Sequence, residues 1–406
     1  MADLSPPTRV TASWATAPVA VRIGILYFAA RLVTTGFLVL AANLSTIGSR
    51  FGPDATLATL VTGWDAQWYW YVAVHGYPTV LPVTDAGQVA ENQWAFMPLY
   101  AYLSDAVGLP FGAWAVGAVI VSLAAGYLAS LVLFRMLTPK IGDSAAMWAV
   151  LFFAAGPLAA LFQVGYAESL FLLWLFLSLW AVMHRKYGWL YLLVPLMGFT
   201  RPGVLAFALF LAFHGIHRWV TRRSEPLPVV HVVHIVAVGI WAVIVGFSWQ
   251  VIAAAVTGDA EAYLATELAW RRNWSVAGEG FVPLEGFIRG AGFWFTHWGL
   301  SAGAGYIALG LAVTGFAAIL LFVPQVKMLG VDLRLWAASY AVYLLLVFFP
   351  QSSIFRLLVP LSPLVGALAV PRSRVWRVGV LCACLAGQWC WIYSMYALGN
   401  TIERVP

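Results

Sequence analysis

Charge is what this sequence has least of. Only 9% of its 406 residues are Asp, Glu, Lys or Arg, while 62% are hydrophobic. A soluble domain carries roughly a quarter of its residues as charges, so a water-solvated globule is excluded and an integral membrane protein is expected. Cysteine is scarce as well: Cys382, Cys384 and Cys390 all fall in one apolar run near the end. They lack metal-site spacing, speak against a disulfide framework and read as small core residues. Also missing are G-x-S-x-G, a Walker loop, H-E-x-x-H and a Rossmann fingerprint. Nucleotide chemistry on the cytoplasmic side therefore has no visible home. The formal charge of +6 is not a nucleic-acid signal either; it reflects Lys and Arg at cytoplasmic helix ends. No internal repeat or low-complexity segment stands out.

What the chain does have is aromatic rings: 21 Trp, 16 Tyr and 25 Phe. They are densest at 63–78, GWDAQWYWYVAVHGYP, around a lone acid, Asp65. At helical spacing Asp65, Trp68, Tyr69 and Val72 share one face. A short helix so rich in Trp and Tyr belongs at a membrane–water boundary. An acid there is shielded by rings yet reachable from water, and burial raises its pKa toward the range useful for proton transfer. The bland alternative is an interfacial anchor helix whose Asp caps a turn.

Apolar runs of about 20 residues are long enough to cross a bilayer. The first, 19–40, follows a polar tail (1–18) with Arg9 and precedes an acidic segment. It is too long for a signal-peptide core and reads as an uncleaved helix with a cytoplasmic N-terminus. Segment 41–110 holds Asp54, Asp65, Asp85, Glu91 and Asp105 against one base, Arg50, and is placed outside. A second interfacial helix is expected within it, from FMPLY onward. Further spans are read at 111–137, 145–162, 166–183, 229–256, 294–323, 335–349, 354–370 and 378–398. Residues 189–199 and 204–213 are half-length pieces joined by Thr200-Arg201-Pro202-Gly203. The total is roughly ten to twelve crossings, with the loops 41–110 and 257–293 on one face.

Non-helical backbone at membrane depth is tolerated only where protein or a water-filled cavity satisfies it. Arg201, at such a break, is thus a functional-site candidate. Glu168 opens the 166–183 span in GYAESLF, and Arg356 lies just past a tight turn at 350–353. External arginines in short segments are unusual, so Arg356 wants an anionic partner. A guanidinium below the outer headgroups suits a phosphate, which it grips bidentately. The competing readings are that Arg356 snorkels to lipid phosphates or pairs with Glu168. Arg271 and Arg272 lie in the second loop, in TELAWRRNW. His75 and His297 are external and could titrate, but each is a weak signal alone. His231 and His234 lack the neighbours of a metal pair.

Four stretches in this order resemble the PIG-V-type mannosyltransferases, the family of the enzyme that adds the second mannose to GPI anchors, with members in actinobacteria and other bacteria. They are WDAQWYWYVAVHGYP (64–78), FMPLYAYL (96–103), GPLAALFQVGYAESLF (156–171) and TRPGVL (200–205), with a looser echo in SSIFRLLVPLSPL (352–364). One departure is that the family often places a basic residue directly before the Trp-Asp pair, where this chain has Gly63. The resemblance implies an all-α polytopic GT-C glycosyltransferase fold with juxtamembrane helices in the first external loop. It implies a cytoplasmic tail (1–18), a membrane module (19–220) with catalytic loop 41–110, and C-terminal helices (221–406) with loop 257–293.

Such enzymes move a sugar, here expected to be mannose, from a polyprenyl phosphate to a hydroxyl of a glycolipid, lipoglycan or protein. Transfer takes place on the extracytoplasmic face of the plasma membrane, by inverting single displacement. In that scheme Asp65 is the base and Arg356 the phosphate clamp. Glu168, Arg201, Arg271, Trp64, Trp68, Tyr69 and His75 are further candidates for donor or acceptor binding, and no metal or other cofactor is expected. The rivals are a multi-pass transporter or flippase, a non-catalytic membrane subunit, and a GT-C enzyme for glucose or a pentofuranose. A transporter would usually show paired, repeat-related broken helices; here one broken segment is visible.

Overall fold

The computed structural model describes residues 16–272, 281–400 and 403–406. Most of the N-terminal tail (1–15), with Arg9, and stretch 273–280 of the second loop, with Glu279, lie outside the described residues. Among the described residues the chain is built of helices and their connections, with one isolated antiparallel bridge between Val83 and Val89.

Helix α1 (Val19–Asn43) leads into the first loop, which carries α2 (Leu57–Val61), α3 (Asp65–His75) and α4 (Pro98–Gly108). Helix α4 begins inside FMPLY on Pro98, where a missing N–H costs no helical bond. Next come α5 (Trp114–Ile141), α6 (Asp143–Ala154), α7 (Glu168–Met183), α8 (Leu190–Gly198), α9 (Val204–Val220) and α10 (Val229–Thr257). The second loop holds α11 (Ala262–Arg272) and α12 (Glu285–His297). The chain closes with α13 (Ala302–Phe322), α14 (Pro324–Met328), α15 (Val331–Val347), α16 (Ile354–Leu357), α17 (Val365–Ala369) and α18 (Arg374–Ile392).

Among the described residues, five helices are long and apolar enough to cross a membrane: α1, α5, α10, α13 and 374–397, which is α18 with its terminal π-helical turn. The chain is thus a multi-pass membrane protein, but several expected crossings are shorter pieces. Residues 145–162 do not form one span. Helix α6 stops after 12 residues, about 18 Å against a hydrocarbon core of about 30 Å. The chain then runs through Gly156-Pro157 and a 3₁₀ turn before α7 begins. Residues 294–323 also divide, because Gly299 adopts φ 78° between α12 and α13. Residues 354–370 break into α16, a 3₁₀ stretch containing Pro360 and Pro363, and α17, since proline supplies no N–H to a helix ladder.

The irregular stretch after α6 needs partners for its carbonyls. Arg31, 4% exposed inside α1, donates to the carbonyls of Ala154 and Ala159. Its guanidinium packs between the rings of Tyr27 and Phe162, 5.3 and 5.5 Å from their centroids. Gln388 Nε2 donates to the Gly156 carbonyl at 3.2 Å. Helix α7, apolar on every side, is correspondingly central, buried from Glu168 to Val182 on nearly all positions. The core therefore holds the start of α7 in place, and the loop helices sit next to it.

Candidate active site

The site begins with a backbone peculiarity. Trp64 takes φ 54°, a region that non-glycine residues rarely occupy and that is found disproportionately at functional sites. Trp64 caps α3, so Asp65 is the first helical residue rather than the cap. A carboxylate there lies at the positive end of the helix dipole. The Trp64 ring is held by the Arg50 guanidinium, 4.4 Å from its centroid, and edge-on by Phe51 at 6.0 Å. Gly63 has no room for a side chain: a Cβ there would lie 2.3 Å from Phe51 Cζ and 2.9 Å from the Thr59 carbonyl oxygen. A basic residue directly before the Trp-Asp pair would therefore require Phe51 and the Thr59 carbonyl to shift.

Helix α3 buries Ala66, Tyr69 and Val72. The Tyr69 ring meets Phe96 at 5.2 Å and Tyr100 at 5.0 Å. Trp68 stacks on Phe96 at 5.6 Å and meets Trp270 edge-on at 5.4 Å. The second loop thus adds its own ring to the aromatic wall.

Glu168 is delivered by the turn before α7. Gly165 N donates to the Val61 carbonyl at 2.9 Å, and Ser122 Oγ donates to the Val164 carbonyl at 2.8 Å. A Cβ on Gly165 would come 3.0 Å from Ala66 Cβ, so the turn and α3 pack backbone to backbone. Arg201 comes from the break between α8 and α9, where Gly203 takes φ 134°. Arg356 sits on α16, past the turn at Ser352. That turn is tied to the chain's last residues, because Ser352 Oγ donates to the Val405 carbonyl at 2.9 Å and accepts from Val405 N at 3.1 Å.

These four charges meet. Arg356 Nη1 lies 2.7 Å from Asp65 Oδ2, and Arg356 Nε lies 3.1 Å from Glu168 Oε1. Arg201 Nη1 pairs with the same Glu168 oxygen. The order is Asp65, Arg356, Glu168, Arg201, with alternating sign and two charges of each kind. Side-chain exposure is 21% at Asp65, 11% at Arg356, 4% at Glu168 and 14% at Arg201, so Asp65 is the most exposed of the four. The Tyr166 ring lies beneath the Arg356 guanidinium, 5.3 Å from its carbon. Burial pushes the Asp65 carboxyl above its ordinary range; Arg356 opposes that shift and the Glu168 charge adds to it.

Asp65 opens into a cleft of about 1000 Å³ walled by Trp64, Trp68, Trp70, Tyr71 and Trp270, the size expected of a pocket for a sizeable organic ligand. Two sequence candidates stay apart from the charge network. His75 is at the far end of α3, about 15 Å along the axis at 1.5 Å per residue, and packs on Tyr71 at 4.4 Å. Arg271 donates to the Val347 carbonyl at 2.8 Å. Among the described residues, no three His, Cys, Asp or Glu side chains group as metal ligands. Residues that sequence reasoning missed are Arg31, Tyr166, Trp270 and Arg50. Arg50 carried a signal, as the one Lys or Arg in the acidic segment 41–110.

No protein-family model and no curated relative matches the chain. Among solved structures it is similar to an oligosaccharyltransferase of Archaeoglobus fulgidus solved with zinc and sulfate, at 13% identity and TM-score 0.46. That match covers 92% of this chain and 53% of the other. It is also similar to the archaeal oligosaccharyltransferase AglB of A. fulgidus in complex with an inhibitory peptide and a dolichol-phosphate. The identity there is 15% and the TM-score 0.45, covering 92% of this chain and 56% of that one. The chain spans about half the length of the structures it matches.

Proposed function

We propose that this chain is a GT-C-type membrane glycosyltransferase, PIG-V-like, that moves mannose from a polyprenyl phosphate to an acceptor hydroxyl on the extracytoplasmic face. The observation that carries the reading is the pairing of Asp65 with Arg356 at the mouth of an aromatic-walled cleft. Topology supports the face: α7 begins at Glu168 beside Asp65 and ends next to Arg185 and Lys186, the basic residues that favour the cytoplasmic side.

Asp65, raised by burial and partly open to water, is suited to take a proton from an acceptor hydroxyl. The acceptor oxygen bonds to the anomeric carbon as the bond from that carbon to the phosphate oxygen breaks, inverting the centre. The proton ends on Asp65 and the electron pair on the leaving phosphate, which gains one negative charge. Negative charge thus leaves the carboxylate that engages Arg356 as it accumulates on phosphate. An arginine released by Asp65 at that moment would stabilise the transition state more than the ground state, which is what accelerates a reaction. Glu168 and Arg201 hold Arg356 in place throughout, and the rings of Trp64 and Trp68 offer apolar faces to donor and acceptor sugars, while Tyr69, buried against Phe96 and Tyr100, supports the wall from behind. Arg271, bonded to the Val347 carbonyl, and His75, packed on Tyr71, lie outside this set.

The test uses the purified protein in lipid nanodiscs with radiolabelled polyprenyl-phosphate mannose and a lipid extract from the host. Transfer of label to lipid or protein supports the reading. A wild-type protein that neither binds nor consumes the donor overturns it.

A further inference from the structure

We propose that Arg50 is the cation that first receives the phosphate of the lipid donor, a role that rests on the glycosyltransferase reading above. The inference starts from charge balance at the site. Arg356 spends Nη1 on Asp65 and Nε on Glu168, and Arg201 spends Nη1 on Glu168. Two guanidiniums therefore face two carboxylates, and this resting network has no net charge with which to attract an anion. Arg356 is also nearly buried, at 11% exposure.

The cleft itself tells a different story. Of the described charged residues lining it, Asp65 and Glu91 are acids and Arg50 is the cation. Among the described residues no carboxylate pairs with Arg50. Its guanidinium has one side-chain hydrogen bond, from Nη2 to the neutral Gln67 Oε1 at 3.1 Å. It is nonetheless ordered, because its plane rests on the Trp64 ring at 4.4 Å and its main-chain N donates to the Gly399 carbonyl at 2.8 Å. A stacked guanidinium keeps its outward N–H fork free and fixed in direction, the arrangement that suits bidentate phosphate contact.

Position supports the same assignment. Arg50 follows the end of α1 by a few residues and is exposed, as a headgroup-level cation should be. It touches the residue directly before Asp65, so a phosphate held there lies on the path to the base. A donor would dock its phosphate on Arg50 at the wet rim. Arg356 would take over only when Asp65 becomes neutral.

The two arginines then separate kinetically. Loss of Arg50 weakens donor binding with little effect on turnover at saturation, whereas loss of Arg356 lowers turnover. The experiment measures binding of radiolabelled polyprenyl phosphate, without sugar, to the full chain in nanodiscs, with uncharged polyprenol and inorganic phosphate as competitors. A hydrogen-bonded charge pair contributes about 1.5–3 kcal/mol, so Arg50→Gln should weaken binding about 10- to 100-fold. Arg50→Lys, which keeps the charge, should fall between the two. Polyprenol and inorganic phosphate should each compete poorly, because the site reads lipid and phosphate together.

If wild type transfers mannose but Arg50→Gln binds polyprenyl phosphate as tightly as wild type, the assignment of Arg50 alone is wrong. If inorganic phosphate competes as well as polyprenyl phosphate does, the site is one for free phosphate and the lipid-donor role fails. If wild type neither binds polyprenyl phosphate nor transfers sugar, the donor reading falls and takes this role with it. Should Arg50→Gln prove polydisperse, Arg50→Lys and Gln67→Ala carry the test. Both must lower affinity, and wild-type affinity in either rejects the proposal.

Discussion

Arg356 and Asp65, which come from opposite ends of the chain, meet at 2.7 Å between Nη1 and Oδ2. The contact joins the loop between α1 and α5 to the short helix that follows the Ser352 turn. Glu168 stands 3.1 Å behind, on Arg356 Nε. Neither acid nor base is thus isolated, and each change made here has a consequence at its neighbour.

Asp65→Asn should abolish transfer while leaving polyprenyl-phosphate binding intact. The change is near-isosteric and removes only the base, so the rate should fall on the order of 10²–10⁴-fold. A variant that transfers at the wild-type rate would move the base assignment to Glu168.

The pH profile follows from the direction in which Asp65 is shifted. Its carboxyl is raised by burial above the ordinary Asp value of 3.8, and the base must be ionised to work. Activity should therefore disappear as pH falls through that raised value, with an acid limb above pH 3.8. The stability sign is the opposite: a carboxyl that holds its proton more tightly when folded gives stability that is lost as pH rises through the folded pKa. At neutral pH Asp65→Asn should accordingly melt no lower than wild type. A lower melting point would mean that the Arg356 pair outweighs burial.

Arg356→Gln leaves Asp65 without its partner and Glu168 with Arg201 alone. Removing one member of a buried ion pair costs about 3–5 kcal/mol, so the variant should melt several degrees lower and lose turnover. Adding Asp65→Asn, which neutralises the carboxylate left unpaired, should restore part of the stability and none of the activity. Equal melting of Arg356→Gln and wild type would show the network to be energetically idle.

Arg31→Leu tests the brace beneath the site. It strips the partner from the carbonyls of Ala154 and Ala159, at about 1–3 kcal/mol for each group left unmet. The expected result is a lower thermal midpoint and a lower transfer rate, because the strand of backbone leading to Glu168 loosens. Arg31→Lys should recover only part of both, having no fork to reach two carbonyls.

Gly63→Ala should cost on the order of 1–3 kcal/mol, the usual penalty for overpacking, since the new methyl would sit 2.3 Å from Phe51 Cζ. Phe51→Ala in the same chain should relieve that cost. Failure of the double variant to recover would place the strain at Thr59 instead.

The sequence by itself determined the class of the molecule and its centre of interest. A chain with 62% hydrophobic and 9% charged residues cannot be dissolved as a globule, and that composition needs no coordinates. The Trp-rich segment around Asp65 was legible because a lone acid among rings is a local pattern. Glu168, Arg201 and Arg356 were legible as charges out of place along apolar runs. What the sequence could not provide was their meeting, because ion pairs form between segments that only packing brings together. The same limit applied to the division of long apolar runs into half-length pieces. Composition gives no sign that a carbonyl will be satisfied by Arg31 from another helix, and so no sign that α6 can afford to stop at Ala154. Arg50 was visible only as a stray base in an acidic loop. Its place on the Trp64 ring, with no carboxylate partner among the described residues and beside a neutralised pair of arginines, was decided by the tertiary structure alone. Electrostatic roles depend on which charges already cancel, and that is a property of distances.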